Sequence, residues 1–214
     1  VEMACEVLRG RTFTHHDVNA EAAERHSVAE RLSQEQAMVL RVTRLLNRVE
    51  IRGGAGSGKT VLALAKAREL ARGRGKEPPQ RVALLCYSYG LGTFLARQAE
   101  SWPRRQRPAF VGTYEDFARH LGVTDFGRRE DSQFWEQDLP RQMAELASEL
   151  PIEKRFDAFI VDESQDFADN WWTPLLRSMA DPEQSGLFAY SDEHQRIFAR
   201  FGQPPVPLVP LVLD

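Results

Sequence analysis

The run Gly53-Gly54-Ala55-Gly56-Ser57-Gly58-Lys59-Thr60 constrains this chain more than any other feature, because it fits G-x-x-x-x-G-K-[ST] at every fixed position. Val49 to Arg52 reads as a short strand leading into the glycines. A helix rich in Ala and Leu follows Gly58 to about Arg72, ended by Gly73-Arg74-Gly75 with Pro78-Pro79 behind it. Strand, glycine loop and helix together form a phosphate cradle. The glycines let backbone N–H groups curl around phosphate oxygens and the helix N-terminus adds a favourable dipole. Lys59 then reaches the outer phosphates, and the Thr60 hydroxyl is a ligand for Mg2+. All eight residues from Gly53 to Thr60 are expected to bind nucleotide.

Apolar runs alternate with helical patterns through the rest of the chain. Val82-Ala83-Leu84-Leu85-Cys86-Tyr87 is continuous, as in a parallel strand covered on both faces. Phe110-Val111-Gly112, Phe159-Ile160-Val161 and Leu187 to Tyr190 are further strand candidates, with helices starting near Leu91, Glu115, Trp135 and Trp171. A break is expected at Pro140. Upstream, Ser33 to Gln36 opens a helix with Met38, Val39, Val42, Leu45 and Leu46 along one half-buried side. The alternation, with the P-loop, predicts an α/β fold of the P-loop NTPase type: a parallel sheet with helices on both faces and ligands at the carboxyl ends of the strands.

Asp157 to Asp166 places two adjacent acids, Asp162 and Glu163, at the end of a buried strand. Asp162 is the second expected Mg2+ residue, and Glu163 points differently and is suited to hold and deprotonate an attacking water. Asp166 also reads as a solvated strand end.

The boxes Asp162-Glu163-Ser164-Gln165-Asp166 and Asp192-Glu193-His194-Gln195 after a P-loop resemble the first motor domain (1A) of UvrD/Rep-type superfamily 1 DNA helicases. The resemblance covers about residues 32 to 200 and implies that the P-loop sheet is RecA-like. It implies an enzyme that couples hydrolysis of ATP, with Mg2+, to movement on single-stranded DNA, and a catalytic group of Glu163, Lys59 and Gln195. Gln165 and Gln195 would contact the γ-phosphate or the attacking water, since an amide both donates and accepts. Gln36 would read the adenine edge, although Ser33 and Gln36 also fit a helix capping box. Tyr87, Ser88, Thr113 and Tyr114 would meet the DNA strand, with aromatic packing an equal alternative for Tyr87 and Tyr89. The family usually has glycine, serine and tyrosine where Ser191, Arg196 and Phe198 stand, and more often asparagine at Ser88.

The resemblance also organises the chain: 1–31 as an arm or linker, 32–206 as the ATP-binding domain with a reduced helical insertion at about 122–156, and 207–214 as the start of a connection to a second motor domain. Arginines from that second domain would act on the γ-phosphate, so this chain alone is expected to bind ATP as a monomer and hydrolyse it slowly. An AAA-type remodeller shares the P-loop and acid pair without requiring the two glutamine boxes, and a nucleotide-binding scaffold without turnover would not need Glu163. A GTPase is a poor alternative, because no N-K-x-D guanine box occurs in the sequence.

With 42% hydrophobic and 28% charged residues the 214-residue chain has the composition of a globular domain, and its net charge of −3 leaves nucleic-acid contact to local surface. No run of about 18 apolar residues stands in it to span a membrane. Cys5 and Cys86 match neither a disulfide framework nor a metal spacing, so a reducing cytoplasm is expected. His15, His16 and His26 have no partners at ligand spacing.

Overall fold

The computed structural model describes residues 34–75, 77–128, 130–192 and 204–213. The arm with its three histidines, Ser33 and Gln195 lie outside the described residues. By contacts the chain divides into Val1–Gln34 and Glu35–Asp214.

The elements in chain order are α1 (Gln34–Val42), β1 (Arg48–Gly53), α2 (Lys59–Arg72), β2 (Val82–Cys86), α3 (Tyr89–Glu100), β3 (Phe110–Thr113), α4 (Tyr114–Leu121), α5 (Leu139–Ser148), β4 (Ala158–Val161), α6 (Trp172–Arg177), β5 (Gly186–Ser191) and β6 (Val209–Leu213). The strands form one sheet in the order β3-β2-β4-β5-β1-β6, every neighbouring pair parallel. β2, β4 and β5 are buried along their whole length, which is why they are written as unbroken apolar runs.

Period-two alternation sorts their side chains between two cores. Ala83, Leu85, Phe159, Val161, Leu187 and Ala189 join Phe117, Met143, Trp172 and Leu175 from α4, α5 and α6. The intervening Phe188 faces the other way, where Lys66 of α2 lies 4.4 Å over its ring. Helices therefore cover both faces. β5 stands between the P-loop strand β1 and the acid-bearing strand β4, so the ends of all three meet at one edge of the sheet.

Local sequence and tertiary structure part company in two places. α1 ends at Val42, and Met38 and Leu45, expected inside, are 67% and 85% exposed, whereas Leu40 and Thr43 are buried. The helix break expected at Pro140 falls earlier: a π turn, Phe134–Asp138, precedes α5, and Pro140 sits in the first turn of α5, where its missing N–H costs nothing. In the π turn the Trp135 and Glu136 carbonyls accept from Trp171 Nε1 (2.9 Å) and Asn170 Nδ2 (3.2 Å). Within the segment expected to start a connection to a second motor domain, Val209–Leu213 form β6, paired in parallel with β1 from Val49↔Val209 to Gly53↔Leu213.

Candidate nucleotide-binding site

β1 delivers the chain into the glycine loop. Gly56 and Gly58 both adopt φ of +83°, a conformation that a side chain would strain. A Cβ on Gly54 or Gly56 would meet nothing within 4 Å, so the loop faces open space. Gly58 caps α2 and offers no side chain to its first turn, which leaves backbone donors and the positive end of the helix dipole directed at the loop.

Lys59 is buried and folds back over the loop: Nζ donates to the Gly53 and Gly54 carbonyls, 2.8 Å each, and lies 3.5 Å from Asp192 Oδ2. Gln36 reaches the same loop from α1, with Nε2 donating to the Ser57 carbonyl at 3.0 Å. A Cβ on Gly58 would fall 2.0 Å from that nitrogen, so any other residue there would push the Gln36 amide aside.

Asp162 follows β4 and is fully buried. Burial pushes its carboxyl up to about 6, and the neighbouring Glu163 charge adds to this, while the Thr60 hydroxyl, the Glu163 amide and the Lys59 charge pull it down. The Glu163 N–H donates to Oδ1 at 3.1 Å, whereas Oδ2 has no hydrogen-bond partner among the described residues. A lone buried carboxylate oxygen beside the threonine hydroxyl fits a hard cation. Among the described residues no group of three His, Cys, Asp or Glu could hold a metal, so magnesium here would draw its other ligands from nucleotide and water, as it commonly does.

Glu163 has φ of 53° and is the one non-glycine residue with positive φ among the described residues. Such a conformation costs of order 1–3 kcal/mol and is retained where the surroundings over-determine it. Here Glu163 stands as the N-cap of the short turn Ser164–Asp166. Its carboxylate accepts from Gln165 Nε2, and Gln165 Oε1 accepts from the Asp192 N–H at 3.0 Å. A continuous chain, Glu163 to Gln165 to Asp192 to Lys59, thus spans the ends of β4, β5 and the P-loop.

Asp166 is buried, correcting the solvated alternative, and burial with the nearby Glu163 charge raises its carboxyl to about 6. Asp192 was legible only as part of a box; its ion pair with Lys59 is a product of strand order. Gln195, three residues further on, lies outside the described residues.

A second concave region lies at the ends of β2 and β3. A cavity of about 320 Å³ is lined by Tyr87, Ser88, Tyr89, Thr113, Tyr114, Glu115, Trp135 and Trp171. It gathers the four residues expected to meet DNA. Thr113 is buried and closes a capping box: its hydroxyl donates to Asp116 Oδ2 at 2.7 Å and accepts from the Asp116 N–H at 3.1 Å. Tyr114 is 2% exposed and stacked on Trp171, 4.1 Å between centroids and 4° between planes, so its ring is not offered to a base from outside. Ser88 Oγ accepts from the Leu91 N–H at 3.3 Å and caps α3. Tyr87 is half-buried and tilted on Trp171, and the exposed Tyr89 donates its hydroxyl to Glu115. Trp135 and Trp171 read in the sequence only as helix markers, since no local signal ties them to Tyr87.

Buried side-chain polar atoms without a partner, among the described residues, are Arg48 Nε, Ser57 Oγ, Tyr114 Oη, Asp162 Oδ2 and Asp166 Oδ1. All but Arg48 Nε lie at the carboxyl ends of the strands, the edge where open α/β sheets take ligands. No helix is long and apolar enough to cross a membrane among the described residues.

Neither a protein-family model nor a curated protein matches the sequence. Among solved structures, the chain is similar to the Pif1 helicase from Candida albicans, with a TM-score of 0.52 and 14% identity over 86% of this chain and 39% of that one. A second structure, described as two coordinating Pif1 helicases unwinding forked double-stranded DNA, matches at a TM-score of 0.41 and 14% identity, over 83% of this chain and 35% of that one. The chain thus spans about two fifths of the length of the first helicase. With six parallel strands among the described residues, helices on both faces and a glycine loop after β1, the chain has the RecA-like P-loop fold found in that helicase.

Proposed function

We propose that this chain is the ATP-binding motor domain of a superfamily 1 DNA helicase, coupling hydrolysis of Mg-ATP to movement on single-stranded DNA. The observation that carries this reading is the Glu163–Gln165–Asp192–Lys59 chain of contacts. It joins the acid that would face the attacking water to the lysine that would hold the γ-phosphate. An AAA-type ATPase needs no such glutamine. The D-E-S-Q-D and D-E-H-Q boxes favour the UvrD/Rep branch.

In this reading the glycine-loop amides and the α2 N-terminus hold the β- and γ-phosphates, and Lys59 leaves the Gly53 and Gly54 carbonyls to bond phosphate instead. Thr60 and Asp162 would hold magnesium, which would neutralise charge on the phosphates. Gln36 reads the adenine edge. Glu163 takes a proton from water as the water oxygen bonds to the γ-phosphorus and the bond to the β,γ-bridging oxygen breaks. Gln165, bonded to Glu163 and to the β5 end, passes the change toward the segment holding Gln195. DNA runs over the ends of β2 and β3, where Tyr87 and Ser88 border the aromatic cavity and Thr113 and Tyr114 shape it from below. A second motor domain supplies arginines, so the chain alone binds ATP and turns it over slowly.

ATPase activity of the full-length protein, measured with and without single-stranded DNA, tests the reading. Stimulation by DNA that disappears in Glu163→Gln is expected; activity indifferent to DNA would sink the helicase assignment. For this chain, Mg-ATP should raise the melting temperature of wild type and not of Lys59→Ala.

A further inference from the structure

Lys66 occupies an unexpected place. It lies in the middle of α2, is 2% exposed, and has Phe188 4.4 Å beneath its ammonium. Burial lowers it to about 8. A leucine or methionine would fill such a position without the desolvation that an ammonium suffers, so the charge is kept for something it holds. What it holds is the Thr43 carbonyl, at 2.9 Å, just past the end of α1. Beside it, Arg44 reaches Glu69 on α2 through Nε at 2.7 Å and Nη2 at 3.3 Å. Thr43 is itself fixed, its hydroxyl donating to the Leu40 carbonyl at 2.8 Å.

These contacts fasten the C-terminal end of α1 to α2 at two points. Gln36, near the other end, lies on the loop that feeds α2, bonded to the Ser57 carbonyl. α1 buries little apolar surface of its own, with Leu40 its one buried residue, so polar ties set where it sits.

We propose that Lys66, with the Arg44–Glu69 pair, is a positioning device for base selectivity: it holds α1 so that Gln36 stands over the P-loop at the height of the nucleotide base. Lys66 touches neither base nor phosphate and acts through α1. The proposal rests on the adenine reading of Gln36.

The test measures binding of three probes in the presence of magnesium: ATP, GTP and inorganic tripolyphosphate, which carries the phosphates without a base. Wild type is compared with Gln36→Ala, Lys66→Met, Arg44→Glu, and Arg44→Glu combined with Glu69→Arg. Lys66→Met should lower the preference for ATP over GTP by roughly three- to tenfold, the scale of one lost hydrogen bond, and leave tripolyphosphate binding within about twofold. Arg44→Glu should act in the same direction and the reversed pair should restore the preference. Arg44 lies at the surface, and Arg44→Glu carries the test should Lys66→Met fail to fold.

Equal losses for ATP and tripolyphosphate would mean general damage and overturn the proposal. An unchanged preference in Lys66→Met and Arg44→Glu alongside a lost preference in Gln36→Ala overturns the positioning role and leaves the adenine reading standing. An unchanged preference in Gln36→Ala removes the adenine reading, and the positioning role with it.

Discussion

The phosphate end of the sheet, at β1, β4 and β5, and the aromatic end, at β2 and β3, both form concave surfaces at the carboxyl edge, yet they are built in opposite ways. At the phosphate end charged groups are buried without full compensation: Asp162 has an unpartnered oxygen, Glu163 is strained, and Lys59 makes do with two loop carbonyls and a distant carboxylate. At the aromatic end almost every polar group is spent on holding the fold, in the Thr113 capping box, the Ser88 cap and the stacked rings of Tyr114 and Trp171. A ligand that brings its own charge can repay the first kind of site, whereas an uncharged ring needs only the space that the second encloses.

The largest expected effect probes the phosphate end. Glu163→Gln keeps the size of the side chain and removes the proton acceptor, so turnover should fall by about 10²–10⁴-fold, the usual worth of a general base, with nucleotide affinity nearly unchanged in a binding titration. A loss in affinity of similar size would mean that Glu163 holds the nucleotide.

Next comes the aromatic end, where Trp171→Ala removes the plate beneath Tyr114. Chemical denaturation should show a loss of about 3–5 kcal/mol, typical of a buried aromatic truncated to alanine, and a loss under about 1 kcal/mol would mean the cavity is not part of the core.

Asp162→Asn should do the reverse, stabilising the ligand-free protein while abolishing the magnesium dependence of nucleotide binding. The carboxyl titrates at about 6 when folded against 3.8 when unfolded, so the folded state binds the proton more tightly. Stability is therefore lost as pH rises from about 4 to about 6, and the asparagine removes that loss. The gain should be on the order of 1–3 kcal/mol at pH 7 to 8 and should vanish near pH 4. In wild type, magnesium-dependent binding should weaken below about pH 6, because the cation needs the ionised form. A destabilised asparagine variant at neutral pH would show that Asp162 is a structural anchor.

The smallest effect separates the two regions most finely. Tyr114→Phe deletes a buried hydroxyl that has no partner among the described residues, so melting should be unchanged or slightly raised, by up to about 1 kcal/mol. Weaker binding of single-stranded DNA in the same variant would identify the hydroxyl as a base contact.

Residues 53–60 announce their cradle because its chemistry is local: the glycine conformations, the helix start and the lysine reach all lie within eight residues. Asp162 and Glu163 were legible for the same reason, as two acids at the end of an apolar strand. The burial of Thr113 and Tyr114 was not, since Thr113 answers to Asp116 three residues away in a cap that any solvated threonine could also form, and Tyr114 to Trp171, far along the chain. α1 misled because its apolar spacing was sound, yet polar ties to α2 decide which side it buries.

From sequence alone came the order of strands and helices, the glycine loop and the acid pair, all set by short-range periodicity and motif spacing. Tertiary structure alone decided that β5 lies between β1 and β4, that Gln165 therefore bridges Glu163 to Asp192, and that 209–213 returns to the sheet as β6. Strand order is settled by which apolar faces must be covered and by crossover connections that run over many residues, and neither leaves a mark in any one segment.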